Sequence, residues 1–238
     1  PRGDGLASDL DHLCLIFKNS SSGWLLNSLI LESGAGLLQL FRPWLARQKK
    51  SSSFIGVGAF NMVKRKSYFG VGGHESIRMH PIDDIMLGKI IKRAGCRQDC
   101  LLGMDLVTVP WYDNLGAMID GLMKNVLAII NYRVVLLPLL LIGMVVLNIL
   151  PLWGALLDDG YSRLVGETVV LIKLGAFYCG TRLLGISGWC APGTLVTPYI
   201  SLYIAMRAAW LNYTEHGINW RGTHYSLDEL RKNEPILP

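Results

Sequence analysis

The chain has 238 residues, 51% of them hydrophobic, and a mean hydropathy of +0.34. That is too apolar for an ordinary soluble domain of this length, so membrane segments are expected before any is located. The net charge of +5 is confined to residues 1–133, which hold 16 Lys and Arg against 11 Asp and Glu; the remainder balances at 7 against 7.

A basic half next to an apolar half fits a cytoplasmic domain lying on an anionic leaflet. No basic stripe with interleaved aromatics is present, so nucleic acid is not expected as a partner. The five cysteines, Cys14, Cys96, Cys100, Cys179 and Cys190, are odd in number and match no disulfide framework or zinc spacing. They read as reduced thiols. The chain opens on Pro1 without a signal-peptide pattern, and is expected to be an N-terminally truncated piece of a longer protein.

Residues 1–53 carry few signals. Asp9 and Asp11 form an Asp-x-Asp followed by His12. Two carboxylates on alternate residues can share a divalent cation, Mg²⁺ or Mn²⁺, that also holds a diphosphate. A solvated turn or a helix N-cap is the other reading of the same pair. Trp24 to Leu45 is apolar, but Glu32 and the step Gly34-Ala35-Gly36 interrupt it. It reads as an interfacial or buried helix rather than a clean span. Phe54, Ile55 and Val57 lead into a small-residue turn, Gly56 to Ala59, and Phe60 to Val63 reads as a second short strand. Lys64-Arg65-Lys66 opens a segment closed by Gly70 and Gly72-Gly73. Glycines here allow close backbone approach to a ligand, or a plain hairpin.

Residues 83–95 have the period of a helix. Ile85, Leu87, Ile90 and Ile91 lie on or near one face and Gly95 supplies the stop. Asp83 and Asp84 stand at its N-terminus, where the helix dipole favours carboxylates. The dipole also keeps them ionised, as a general base requires. Residues 100–112 read as a strand pair running into Pro110-Trp111-Tyr112, and 113–132 as an amphipathic helix with Trp111, Tyr112, Tyr132 and Arg133 as interface anchors. Val134 to Leu157 holds no charge in 24 residues, enough to span a hydrocarbon core of about 30 Å, with kinks expected at Pro138 and Pro151. An acidic loop, Asp158 to Glu167, follows and is expected on the extracytoplasmic side. Two more apolar stretches, 168–188 and 194–213, carry Lys173, Arg182 and Arg207; the tail from 214 is polar and aromatic. Two or three spans are compatible with this pattern.

The stretch IGVGAFNMVKRKSYFGVGGHESIRMHPIDDIMLGKIIKRAG resembles the second half of a family 2 glycosyltransferase domain. In that family a glycine-rich strand ends in a basic pair, a Gly-Gly turn follows, and an Asp/Glu-Asp-x-x-Leu motif heads a helix ending in Ala-Gly. The motif here is Asp83-Asp84-Ile85-Met86-Leu87. Trp111-Tyr112, Lys124-Asn125 and the tail Trp220-Arg221-Gly222 to Tyr225 are similar to the membrane-bound branch that includes hopanoid-associated and ceramide glucosyltransferase-like proteins.

The resemblance implies an α/β fold, a partial GT-A domain followed by transmembrane α-helices. The divisions are 1–133 for the end of a cytosolic transferase domain with its interfacial helix, 134–213 for the helices and 214–238 for the tail. It implies inverting transfer from a nucleotide sugar to a lipid-type acceptor, at a membrane expected to be the bacterial inner membrane. Asp84 takes the place of the catalytic base and Asp83 of the acid beside it. Gly56, Gly58, Ala59, Phe60 and Asn61 would line the acceptor and donor-sugar pocket, with His74 and Arg78 contacting acceptor or phosphate. The family's metal-binding Asp-x-Asp lies further upstream than Asp9 and Asp11, so the expected Mg²⁺ or Mn²⁺ belongs to the full-length protein. The Gln-x-x-Arg-Trp motif of processive synthases is absent, with Val109-Pro110-Trp111-Tyr112 near its place. The competing expectation is a non-catalytic membrane protein, a transporter subunit or scaffold, motivated by Lys173, Arg182 and Arg207.

Overall fold

A computed structural model of the chain describes residues 9–78, 80, 82–157, 159–215, 217–220, 223–226 and 230–231. Arg221 and Gly222, named in the sequence reading, lie outside them. The chain is mixed α/β and divides into two compact units. One holds the residues up to Ser20 and Gly34–Val109, the other Ser21–Ser33 and everything from Pro110. Helix α1, Trp24–Phe41, contributes its first ten residues to the second unit and the rest to the first.

The first unit is built on β1, His12–Ile16, an apolar run whose side chains are buried on both faces. It is the middle strand of three. Asn61–Val63 (β3) pairs with it antiparallel and Gln98–Leu102 (β4) parallel, with His12 opposite both Val63 and Gln98. Lys18–Asn19 (β2) pairs in parallel with Thr108–Val109 (β5). The two strands expected within 100–112 therefore do not form a pair with each other. Each finds an upstream partner.

Phe54 to Val57 joins no sheet; Ile55 is held there through its N–H and carbonyl by the side chain of Gln98. The segment after Lys64 is not the arm of a hairpin. It folds into a short helix, Arg65–Gly70 (α2), and a 3₁₀ turn, Gly73–Ile77. Helix Asp83–Arg93 (α3) forms as its period predicts, burying Ile85, Met86, Leu87 and Ile91, with Asp83 and Asp84 in its first turn and Lys92 and Arg93 in its last. Phe41 and Phe54, ring centroids 5.6 Å apart, complete the apolar side of this unit.

In the second unit Leu115–Ile129 (α4) is capped by the Asn114 side chain, which accepts the Ala117 N–H. Leu26, Leu29, Ile30, Met118, Ile186 and Ile204 make its core. The uncharged run forms Leu137–Met144 (α5), a π-helical turn Val145–Ile149, and Leu150–Gly154 (α6). Pro138 sits in the first turn of its helix, where its missing N–H costs nothing. The irregularity falls just ahead of Pro151, where a helix interior would need the N–H that proline lacks. The acidic loop is shorter than expected, because the Asp159 side chain caps a helix, Gly160–Leu184 (α7), by accepting the Ser162 N–H, and Arg163 and Glu167 pair along its surface. Thr197–Glu215 (α8) and a hairpin of Gly217–Trp220 with Thr223–Ser226 follow.

Among the described residues three helices are long and apolar enough to cross a membrane: Trp24–Leu45, Leu137–Gly154 and Gly160–Leu184. Trp24–Leu45 qualifies despite Glu32. The three cations expected in the apolar stretches each have a neighbour within this unit. Lys173 Nζ lies 3.3 Å from Glu32 Oε1, Arg207 2.9 Å from Asp120 Oδ1, and Arg182 stacks over the Tyr178 ring. Leu139, Leu147, Leu171 and Ile172 are left exposed, a surface that suits lipid rather than water.

Candidate functional site

The first unit holds a cavity of about 530 Å³. Three segments supply its wall. Gly58, Ala59, Phe60 and Asn61 come from the small-residue turn; Arg65, Tyr68, Phe69 and His74 from α2 and the turn after it; and Asp83, Asp84 and Leu87 from the head of α3.

The turn can approach α3 so closely only because both carry glycine. A Cβ at Gly56 would overlap the Asp84 carbonyl, and one at Gly88 would overlap the Ile55 carbonyl. The two backbones therefore lie in direct contact. A Cβ at Gly58 would sit 3.2 Å from Asp84 Oδ2, so this glycine leaves the carboxylate uncovered. Gly56 thus acts from behind the cavity, by letting the loop seat against Asp84.

Asp84 is half-buried and Asp83 exposed. Burial pushes the Asp84 carboxyl above the ordinary aspartate range. The Ile85 N–H works against that rise, the Asp83 charge adds to it, and the Gly58 and Asp84 N–H groups oppose it. The result is a carboxylate with raised proton affinity, partly desolvated and facing a cavity, which is what a general base needs.

Asn61 joins the cavity to a buried polar network. Its Oδ1 accepts from His12 Nε2 at 3.0 Å, the Cys14 thiol at 2.9 Å and the Val57 N–H at 3.3 Å. His12 Nδ1 in turn lies 2.6 Å from Gln98 Nε2, which also donates to the Ile55 and Gly88 carbonyls, while Gln98 Oε1 accepts the Ile55 N–H at 2.9 Å. His12 is held neutral, since burial lowers its proton affinity more than its bond to Asn61 restores it. The network ties β1, β3 and β4 to the turn and to α3, so the floor of the cavity is fixed from beneath. In the sequence His12 stands out only as the neighbour of the Asp-x-Asp and Cys14 only as a reduced thiol, and Gln98 carries no signal at all. Polar residues inside short strands carry no periodic signal; only their nearness in the fold reveals them.

His74 and Tyr68 are locked together. The Tyr68 oxygen accepts the His74 backbone N–H at 3.2 Å, and its own proton can go to Nδ1 at 2.8 Å, which leaves the ring proton on Nε2. Gly72 and Gly73 both take left-handed φ, +79° and +54°, and a Cβ at Gly73 would strike the Tyr68 ring. The Gly-Gly turn is thus required for this contact. Arg78 follows the turn and is exposed; it is not among the described residues on the cavity wall. Arg65, Tyr68 and Phe69 were not picked out individually, although the basic cluster around Arg65 marked the place.

Asp9 and Asp11 are not on the cavity wall either. Asp11 Oδ2 accepts the Arg97 N–H at 2.9 Å, its Oδ1 accepts the Ser67 hydroxyl at 3.2 Å, and Lys64 Nζ lies 3.9 Å away. Asp9 pairs with the Arg97 guanidinium. A carboxylate pair turned to cations and donors does not suit a divalent metal. These residues instead pin the start of β1 to β4 and α2. Among the described residues no group of three His, Cys, Asp or Glu side chains is placed to hold a metal ion.

A second cavity, about 670 Å³, lies wholly in the other unit. Leu136, Leu139, Leu140 and Leu147 make it apolar, with Asn131 and Arg133 contributing a polar end.

No protein-family model matches the chain, no curated protein matches it significantly, and no solved structure matches its fold significantly.

Proposed function

We propose that this chain carries the acceptor half of a membrane-bound inverting glycosyltransferase of GT-A type, which moves a sugar from a nucleotide-sugar donor to a hydroxyl of a lipid-type acceptor. The observation that carries the reading is Asp84, a half-buried carboxylate with raised proton affinity, open to a cavity through the missing side chain of Gly58. Two further features support it. The surrounding order of parts resembles family 2 transferases, and the second unit holds helices suited to a bilayer from which a lipid hydroxyl could come.

In this reading Asp84 accepts the proton of the acceptor hydroxyl as the oxygen attacks the anomeric carbon. A C–O bond forms on one face of the sugar, and the bond to the diphosphate breaks on the other. The electron pair leaves with the diphosphate, and configuration inverts. Asp83, whose Oδ1 accepts the Asp84 N–H at 3.0 Å, positions the first turn that presents the base. Loop residues 58–61 offer backbone groups to the sugar.

The competing reading, a non-catalytic transporter subunit or scaffold, rested on Lys173, Arg182 and Arg207. Each of the three has a neighbour, Glu32, Tyr178 or Asp120, and a role in holding the helices together accounts for them equally well. Incubation of the full-length protein with labelled nucleotide sugars and membrane lipid tests the choice. Label entering the organic phase supports transfer. If no nucleotide sugar yields labelled lipid and calorimetry detects no binding of UDP or GDP, with or without divalent cation, the non-catalytic reading replaces it.

A further inference from the structure

The groups around the Asp84 cavity are unevenly distributed. Its acids, Asp83 and Asp84, both come from the head of α3. The rest of its polar wall, between residues 61 and 74, presents hydrogen-bond donors. Asn61 has its Oδ1 taken up by His12, Cys14 and Val57, so its Nδ2 amide is the end left for a ligand. His74 lines the cavity with Nδ1 engaged by Tyr68, and when Tyr68 donates to Nδ1 the ring proton on Nε2 is the one left for a ligand. Arg65 is exposed and lies over the Phe69 ring at 5.7 Å. Its neighbour Lys64 pairs with Asp11, but Arg65 makes no ion pair among the described residues. A neutral sugar hydroxyl asks for acceptors as well as donors. A wall of donors around an uncompensated guanidinium asks for an anion with several oxygens.

We propose that Asn61, Arg65 and His74 form a subsite for a phosphate group of the substrate, with Arg65 supplying the charge and the other two the neutral donors. This rests on the reading of the cavity as a transferase site. It adds that one reactant carries phosphate there, either the diphosphate of the donor or a phosphate in the acceptor's headgroup. The buried network beneath Asn61 and the Tyr68 lock on His74 keep the donors in place before a ligand arrives, which lowers the ordering cost of binding. The two acids nearby set a limit on where the anion can sit, since a phosphate against Asp84 would meet like charge.

Titration calorimetry on the full-length protein in detergent tests this with two probes, inorganic pyrophosphate for the donor and glycerol phosphate for a headgroup. Arg65→Ala is expected to weaken one of them by about tenfold or more, as loss of a charged hydrogen-bond partner does. Arg65→Lys should retain part of the affinity. Asn61→Asp should weaken the same probe by adding a negative charge, and Asp84→Asn should strengthen it by removing one. Lys66→Ala, exposed and off the cavity wall, serves as the unaffected control. Loss for pyrophosphate alone assigns the subsite to the donor; loss for glycerol phosphate alone assigns it to the acceptor. Failure of both probes to bind the wild type at millimolar concentration overturns the proposal, as does binding to Arg65→Ala with wild-type affinity. The two readings fail separately. Arg65-dependent phosphate binding without any sugar transfer leaves the subsite and removes the transferase; transfer that needs Asp84 but is indifferent to Arg65→Ala does the reverse.

Discussion

Gly88→Ala is the substitution in which helix propensity and packing oppose each other most clearly. Alanine inside an exposed helix gains about 1 kcal/mol over glycine. Here the new Cβ would overlap the Ile55 carbonyl and lie 3.0 Å from the Gly56 nitrogen, both backbone atoms without a rotamer to yield. Relief requires the 54–58 loop to lift off α3. That breaks the Ile55 N–H bond to Gln98 Oε1 and the Gln98 Nε2 bonds to the Ile55 and Gly88 carbonyls. Three such bonds at ~0.5–1.5 kcal/mol each amount to about 3 kcal/mol, and subtracting the propensity gain leaves a net loss of about 2 kcal/mol. Urea unfolding in detergent, followed by near-UV circular dichroism, measures it. Gly36→Ala is the control, since a Cβ there meets nothing within 4 Å, and it should be neutral or stabilise by up to about 1 kcal/mol. The shifted loop would also draw the Gly58 N–H from Asp84, so transferase activity should fall in Gly88→Ala and not in Gly36→Ala. Equal stability of the two variants would refute the backbone-on-backbone account.

His80 is buried, and its proton affinity is pulled down by that burial to a pKa of about 4, with the Asp83 charge opposing the drop and Lys89 adding to it. The unfolded chain then binds the extra proton between the ordinary value of 6.5 and about 4. The stability it contributes is present above pH 6.5 and lost as pH falls to about 4, by about 3 kcal/mol. Asp84, raised by burial, acts with the opposite sign, so the comparison is between wild type and His80→Leu with Asp84 present in both; the variant should lose most of the acid-side slope, and an unchanged slope would contradict the assignment. Glu32→Ala should destabilise the second unit by about 1.5–3 kcal/mol in urea unfolding, because it takes the carboxylate partner from the half-buried Lys173. Replacing both residues by leucine should recover most of that loss, and a double variant as unstable as the single one would show that the pair matters for something other than its charge.

Helix periodicity made α3 and α4 legible, because each buries one face and begins with residues that suit a helix start. Asp83 and Asp84 could be placed at a helix head for the same reason. The centre of the first unit was not legible. His12–Ile16 is a five-residue apolar run with no alternation, and its partners lie some fifty and ninety residues away, so nothing local marks it as a strand. The α2 helix was hidden too. Arg65–Gly70 is too short to show a period, and it is held by the contact of Ser67 with Asp11 across the sheet. Asp9 and Asp11 show the converse problem, since a spacing that suits a metal also suits the ends of two strands. Which of the two holds depends on Arg97 and Lys64, which spacing does not reveal. Glycine was the most informative residue type. Gly56, Gly58 and Gly73 stand in the turns that the sequence singles out for approach to a ligand, but the close approaches the fold shows are to Asp84 and Tyr68.

The central claim is that the Asp84 carboxylate takes the acceptor proton. The rate of labelled-sugar transfer to lipid by Asp84→Asn, relative to wild type in the same full-length background, tests it most directly. Asparagine keeps the shape and the hydrogen-bond acceptor but cannot take the proton. The account predicts a loss of about 10²–10⁴-fold in the transfer rate with unchanged near-UV dichroism, and a smaller loss for Asp83→Asn. Transfer by Asp84→Asn at the wild-type rate would contradict it.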